Sequence, residues 1–109
     1  KDLINGCANI TGGGLPDNIK RVIPEKLCAE IYLDKIKPLK IFKWLKDNGV
    51  NDKEMIKTFN CGVGFCLIVN SKKIKKINSY FSKEFKPYII GKICNGSDKI
   101  KLNEKIDWS

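Results

Sequence analysis

The residues of this chain best suited to chemistry by type and spacing are Asn9-Ile10-Thr11-Gly12-Gly13-Gly14-Leu15-Pro16. Glycine costs backbone entropy wherever it is ordered, so three in a row need a local reason. Such a loop lets the backbone come close to a ligand, and amides at a helix start suit a phosphate or carboxylate. Thr11 adds a hydroxyl. A tight strand-to-helix turn accounts for the same glycines equally well. No Gly-Lys-Ser/Thr follows, which excludes a Walker loop, and Asp17 stands where a dinucleotide fingerprint needs its third glycine. A second candidate is Thr58-Phe59-Asn60-Cys61-Gly62-Val63-Gly64. Gly62 and Gly64 permit close backbone approach there, and Asn60 offers both a donor and an acceptor. A helix C-cap with a glycine bulge is the plain alternative.

Elements of both kinds must position these loops. Residues 4–10 read as a short strand and residues 15–23 as a helix with Leu15, Ile19, Val22 and Ile23 on one face, ended by Pro24. Ala29, Ile31 and Leu33 alternate with Glu30 and Tyr32, a period-two strand. Pro38 opens a helix to Asp47 whose apolar face is Ile41, Phe42 and Leu45 with Trp44 at its margin. Asn51 or Asp52 caps a short helix through Lys57. Phe65 to Val69 is a continuous apolar run, which predicts a strand covered on both faces. Ser71 is expected to cap a helix over 72–81, with Ile74, Ile77 and Phe81 inside and Lys72, Lys73, Lys75 and Lys76 as a solvated face. Residues 88–93 read as a strand, and Asn95-Gly96 as a hairpin turn into residues 99–102. The alternation predicts an α/β (α+β) fold with a mixed β-sheet and helices packed on it.

Composition sets the outer limits. With 109 residues, 42% hydrophobic and 30% charged, the chain suits one small domain spanning 1–109. A net charge of +9 invites an anionic partner, yet Arg21 is the one arginine among 21 basic residues. Nucleic-acid sites favour the guanidinium fork, so the lysines read as solvated surface, and no nucleic-acid partner is expected. Five cysteines occur without a Cys-x-x-Cys pair, and histidine is absent, which excludes a Cys/His zinc site. Cys7, Cys28, Cys66 and Cys94 read as small buried hydrophobes, a usage that suits a reducing cytosol. No apolar run approaches a membrane span, and no metal cluster, catalytic triad or paired-carboxylate motif can be assigned.

Three blocks taken together, Ile10-Thr-Gly-Gly-Gly-Leu-Pro-Asp-Asn18-Ile-Lys-Arg21-Val-Ile-Pro24, Ile41-Phe-Lys-Trp-Leu45, and Glu54-Met55 followed by Thr58-Phe-Asn-Cys-Gly-Val-Gly64, resemble the C-terminal domain of aminoimidazole ribonucleotide synthetase, also called phosphoribosylformylglycinamidine cyclo-ligase. The resemblance covers residues 7–69 best and runs more loosely through Ile93. It implies a ligase of purine synthesis that spends ATP to close the imidazole ring of formylglycinamidine ribonucleotide, releasing ADP and phosphate. It implies that Asn9, Thr11, Gly12, Gly13, Gly14, Asn18, Asn60 and Gly62 line a cleft for substrate and nucleotide. It further implies a homodimeric full enzyme with magnesium and ATP held mainly by an N-terminal domain absent here. Lys1-Asp2-Leu3 in place of an initiator methionine fits a piece of such an enzyme, inactive alone. The family places a histidine immediately before the Ile-Thr-Gly-Gly-Gly string; Asn9 stands there and cannot carry a proton at neutral pH. The sister enzymes formylglycinamidine synthetase, thiamine monophosphate kinase and selenophosphate synthetase share the architecture but are not expected to carry the Thr58–Gly64 block. A basic nucleic-acid-binding module is the reading from another class.

Overall fold

The computed structural model describes residues 3–109; Lys1 and Asp2, on which the reading of the chain start rests, lie outside them. The chain runs β1 (Gly6–Asn9), α1 (Gly14–Lys20), β2 (Leu27–Tyr32), α2 (Lys40–Asp47), α3 (Asp52–Thr58), β3 (Phe65–Ile68), α4 (Ile74–Asn78), β4 (Gly91–Asn95) and β5 (Ile100–Asn103). The strands form two sheets: an antiparallel β1–β3 ribbon, and a three-stranded sheet in the order β4-β2-β5 with β4 antiparallel and β5 parallel to β2. The mixed α/β expectation holds.

The core lies where β1, α1, β2 and α3 converge. Leu15 from α1, Met55 from α3 and Cys61 from the loop after α3 are the largest fully buried side chains. Each Leu- or Met-sized side chain hidden in this way contributes about 1.5–3 kcal/mol of transfer free energy. Ala8 and Ile10 reach the core from β1, and Ala29 and Ile31 from β2. The ends of α3 are well specified locally. Asn51 Oδ1 accepts the Glu54 backbone N–H at 2.9 Å, the expected cap, which satisfies one of the orphan amides of the first turn.

Several expectations change. The apolar run of β3 is not covered on both faces: Phe65 is exposed and Cys66 to Ile68 are half-buried, in a two-stranded ribbon with β1 as the one paired neighbour. Helix α1 ends at Lys20, and Arg21 to Ile23 turn toward Pro24. The helix expected over 72–81 shrinks to α4 preceded by a 3₁₀ turn at Ser71–Lys73, and Asn70, not Ser71, supplies the cap by accepting Lys72 N–H. Ile77 is buried there while Phe81 is exposed. Strand β4 starts at Gly91, three residues later than expected. The Asn95-Gly96 turn does not make a hairpin, because β2 lies between β4 and β5. Helix α2 turns Phe42 and Leu45 toward the core and leaves Ile41 and Trp44 exposed. Cys7 is exposed, since Ala8 takes the inward position of β1; Cys28 is buried and Cys66 and Cys94 are half-buried.

The C-terminal residues strap across α2 and α3. Trp108 Nε1 donates to Asp52 Oδ1 at 3.0 Å, and Lys46 Nζ pairs with the same oxygen at 2.9 Å. The Lys46 ammonium chiefly, helped by the indole N–H and opposed by desolvation, holds the Asp52 carboxyl below its ordinary value of 3.8. A carboxyl depressed in the folded state stabilises the fold above the unfolded value and loses that contribution as pH falls through the folded one. We therefore expect Asp52→Asn to lose up to about 1 kcal/mol at pH 7, the most such a part-exposed pair is worth, and to converge with the parent below about pH 4, which flattens the acid limb of the stability curve. Urea unfolding as a function of pH reads this, and an unchanged acid limb would count against the strap.

Candidate functional site

The glycine loop leaves β1 at its C-terminal end. Ile10 N–H bonds Gly64 O at 2.9 Å, and Asn9 pairs in register with Phe65, so the two glycine segments meet at one end of the ribbon. Asn9, Thr11, Gly12 and Gly64 are all exposed there, and Phe65 opposite Asn9 is 58% exposed.

The three glycines answer to different demands. Gly13 has φ +97° and Gly14 φ +70°, which side-chain-bearing residues rarely adopt. A Cβ on Gly14 would lie 1.9 Å from Ile56 O and 3.1 Å from Phe59 O, so this glycine lets α1 seat against α3. A Cβ on Gly13 would lie 2.7 Å from Asp17 Oδ2. Gly12 has neither constraint, with nothing within 4 Å of its absent Cβ. The turn reading thus accounts for Gly13 and Gly14, and Gly12 is left facing open space.

Asn18 fixes the loop from inside. Its side chain is 4% exposed, and its Nδ2 donates to Gly14 O at 2.7 Å, Thr11 O at 3.2 Å and Gly12 O at 3.3 Å. Its Oδ1 accepts longer contacts of 3.4 Å from Thr11 Oγ1 and Arg21 Nη1. A buried amide satisfied on both ends holds the loop in one shape. Asn18 is therefore a shaping residue whose polar atoms face the loop's own backbone. The helix start offers fewer amides than the sequence suggested, because Gly14 N–H is bonded to Thr11 O at 3.0 Å and Pro16 has none.

The second loop is built the same way. Asn60 Oδ1 accepts Gly62 N–H at 2.8 Å, and Asn60 O accepts Val63 N–H at 2.9 Å. Gly62, at φ +104°, would place a Cβ 3.1 Å from Lys37 O and Leu39 N. Both residues thus have structural duties, and the loop touches the first one through Phe59, behind Gly14. Cys61 is no nucleophile in this setting. Its Sγ–H points at Met55 O, 3.6 Å away, and burial, with the Asp52 charge, pushes the thiol up to about 11.

A groove of about 340 Å³ flanks the first loop, with Gly13, Asp17, Asp52, Lys53 and Lys57 among its lining. Lys53 and Lys57 stand one helical turn apart on α3 and bring positive charge to this side of the loop. Neither they nor Phe65 stood out in the sequence. The lysines were lost among many others, and Phe65 belongs to a run that looks buried. A larger cavity of about 590 Å³, lined by Glu25, Lys26, Gly96, Ser97 and Lys99, shares none of the loop residues and is wide open to solvent. The loop, not that cavity, carries the arrangement suited to chemistry.

The chain as a whole matches a known domain family. The family described as AIR synthase related protein, C-terminal domain, matches residues 1–103. The chain belongs to this family. The phosphoribosylformylglycinamidine cyclo-ligase of Carboxydothermus hydrogenoformans is 43% identical over 103 residues, which are 93% of this chain and 30% of that protein. The bifunctional purine biosynthetic protein purD of Dictyostelium discoideum is 42% identical over 105 residues, 94% of this chain and 13% of that protein. This AIR synthase related chain therefore spans less than a third of either curated relative. Among its described residues, no helix is long and apolar enough to cross a membrane.

Proposed function

We propose that this domain forms one wall of the active-site cleft of a cytoplasmic cyclo-ligase, which closes formylglycinamidine ribonucleotide to 5-aminoimidazole ribonucleotide with ATP, releasing ADP and phosphate. The observation that carries the reading is Gly12: it sits in open space at the end of β1, beside the Thr11 hydroxyl, in a loop held by buried Asn18. The similarity to a cyclo-ligase supports the reaction class. Ring closure of this kind needs oxygens held and charge neutralised more than it needs covalent chemistry from the protein. Thr11 Oγ1 and the Gly12 backbone N–H are suited to hold a phosphoryl or amide oxygen. Asn9 is suited to bind an oxygen but not to pass a proton. Lys53 and Lys57 line the groove beside Gly13 together with Asp17 and Asp52. Asn60 and Gly62 shape the support behind the loop.

Among the described residues, no group of three or more His, Cys, Asp or Glu is arranged to hold a metal ion. Magnesium and the ATP triphosphate are assigned mainly to the N-terminal domain of a homodimeric full enzyme, as the resemblance implies. The isolated 109-residue chain is accordingly expected to show no ATP-dependent ring closure.

In the full-length enzyme, Thr11→Val, which deletes a donor hydroxyl, and Gly12→Val, which keeps its N–H but sets a branched side chain over the open face of the loop, are each expected to lower kcat/KM for ring closure by roughly a hundredfold, the scale of one lost donor to a developing charge. The melting temperature of Gly12→Val should stay within about 3 °C of the parent, since a Cβ there meets nothing within 4 Å, while Thr11→Val also gives up the 3.4 Å hydrogen bond to Asn18 Oδ1 and should fall by no more than about 5 °C. Activity is read by coupled ADP release. Unchanged kcat/KM in both variants would remove the loop from the cleft.

A further inference from the structure

Five cysteines are present, and the sheet registers divide them sharply. Cys7 and Cys66 sit on β1 and β3, but Cys7 faces Leu67 and Cys66 faces Ala8, so the two thiols project from opposite faces of the ribbon. Cys61 is enclosed in the core. Cys28 and Cys94 differ, because they stand directly opposite each other on antiparallel strands β2 and β4 and therefore share one face of the sheet. That face also carries Glu30 with Lys92, whose ion pair marks it as the solvent side.

The hydrogen-bond phase sets their separation. Tyr32 N–H bonds Ile90 O at 2.7 Å and Gly96 N–H bonds Lys26 O at 3.1 Å. Stepping two residues at a time between those pairs makes Cys28 and Cys94 a hydrogen-bonded pair, with Cα atoms about 5.5 Å apart. That value lies inside the span a disulfide bridges, roughly 4.4–6.8 Å. The Cys94 Sγ–H already points across the ladder, 3.6 Å from the Cys28 carbonyl oxygen. Gly96, next along this face, has no side chain; a Cβ there would lie 3.0 Å from Cys28 Cβ. The Gly96 backbone thus packs against Cys28, which stays 5% exposed, and the oxidant reaches the pair through half-buried Cys94.

We propose that Cys28 and Cys94 form a redox-modification site, a cross-strand dithiol that a small disulfide oxidant converts reversibly to a disulfide. Half-buried Cys94 reacts first: its thiolate attacks one sulfur of the oxidant, whose S–S bond breaks and releases one thiolate. Cys28 then loses its proton to solvent and attacks Cys94 Sγ. The mixed disulfide breaks, the second thiol leaves, and Cys28–Cys94 closes. The two cysteines give up two electrons, the oxidant takes them, and the two protons end on the two released thiols. Opposite residues of a ladder hold their Cβ atoms about 4.5–5.5 Å apart, wider than the mean of about 3.8 Å across a disulfide. Closing the bond therefore pulls β2 and β4 together and strains the link, which makes it easy to reduce again. Burial and the neighbouring Cys94 sulfur raise the Cys28 thiol, in keeping with its role as the second, resolving thiol.

The test is to incubate the native full chain with glutathione disulfide, trap free thiols by alkylation and map the peptides by mass spectrometry. The expected product joins the Cys28 and Cys94 peptides with the loss of two hydrogens, leaves Cys61 and Cys66 alkylated only after unfolding, and reverts with dithiothreitol. In Cys94→Ser, Cys28 should remain a thiol under the same oxidation. A stable glutathione adduct on Cys94 beside a free Cys28, or a cross-link that forms only in denaturant, would overturn the proposal.

Discussion

Gly14→Ala should lose on the order of 3–5 kcal/mol of stability, or fail to fold, whereas Gly12→Ala two residues away should stay within about 1 kcal/mol of the parent. The new Cβ at Gly14 would lie 1.9 Å from the Ile56 carbonyl oxygen, on a backbone at φ +70°. A backbone conformation foreign to L side chains costs about 1–3 kcal/mol, and forcing extra volume into a packed contact about 1–3 kcal/mol more. The neighbour is a main-chain atom of α3, so relief requires moving a helix and not a side-chain tip. Domains of this size are stable by only about 5–15 kcal/mol in total, so this loss is large. At Gly12 a Cβ meets nothing within 4 Å. Urea unfolding of both variants reads the contrast, and equal stability would show that the α1–α3 contact is looser than described. The pair also separates duties within one motif, since substitution at Gly12 should show in catalysis and substitution at Gly14 in folding.

Asn18→Ala should cost about 2–3 kcal/mol and lower the melting temperature by roughly 10 °C. The substitution removes one donor group that serves three backbone carbonyls, at Gly14, Thr11 and Gly12. The site is 4% exposed, so water cannot easily replace the lost amide. Asn18→Asp should be no better at neutral pH, because a carboxylate has no N–H to give and would face those same carbonyl oxygens. In the full-length enzyme both variants should also reduce ring closure, through a Thr11–Gly12 loop no longer held in place. Differential scanning calorimetry is the direct check. A melting temperature within about 2 °C of the parent for Asn18→Ala would mean that the loop holds its shape without the amide.

Local signals were legible where the deciding interactions are local. The Asn51 cap lies three residues from the amide it satisfies, and the turns at Gly13 and Gly62 announce themselves because few residues other than glycine adopt those angles. Coverage and pairing were not legible. The run Phe65 to Val69 has the composition of a strand sandwiched on both faces, yet composition does not say how many layers will reach it, and only β1 pairs with it. Asn95-Gly96 marks a turn, but whether its arms pair depends on what enters between them, and β2 does. Helix α2 has apolar residues on two sides, and its rotation was settled by which side met the core.

By itself, then, the sequence determined the alternation of elements, the family to which the three blocks belong, and the position of the glycine loop. All of these are written in residue types and short spacings. Only the tertiary structure decided that Gly14 serves helix packing while Gly12 stays open, that Asn18 holds the loop from within, and that Cys28 and Cys94 face each other. Those outcomes depend on which distant segments come to lie within a few ångströms, and that is set by long-range burial and strand pairing.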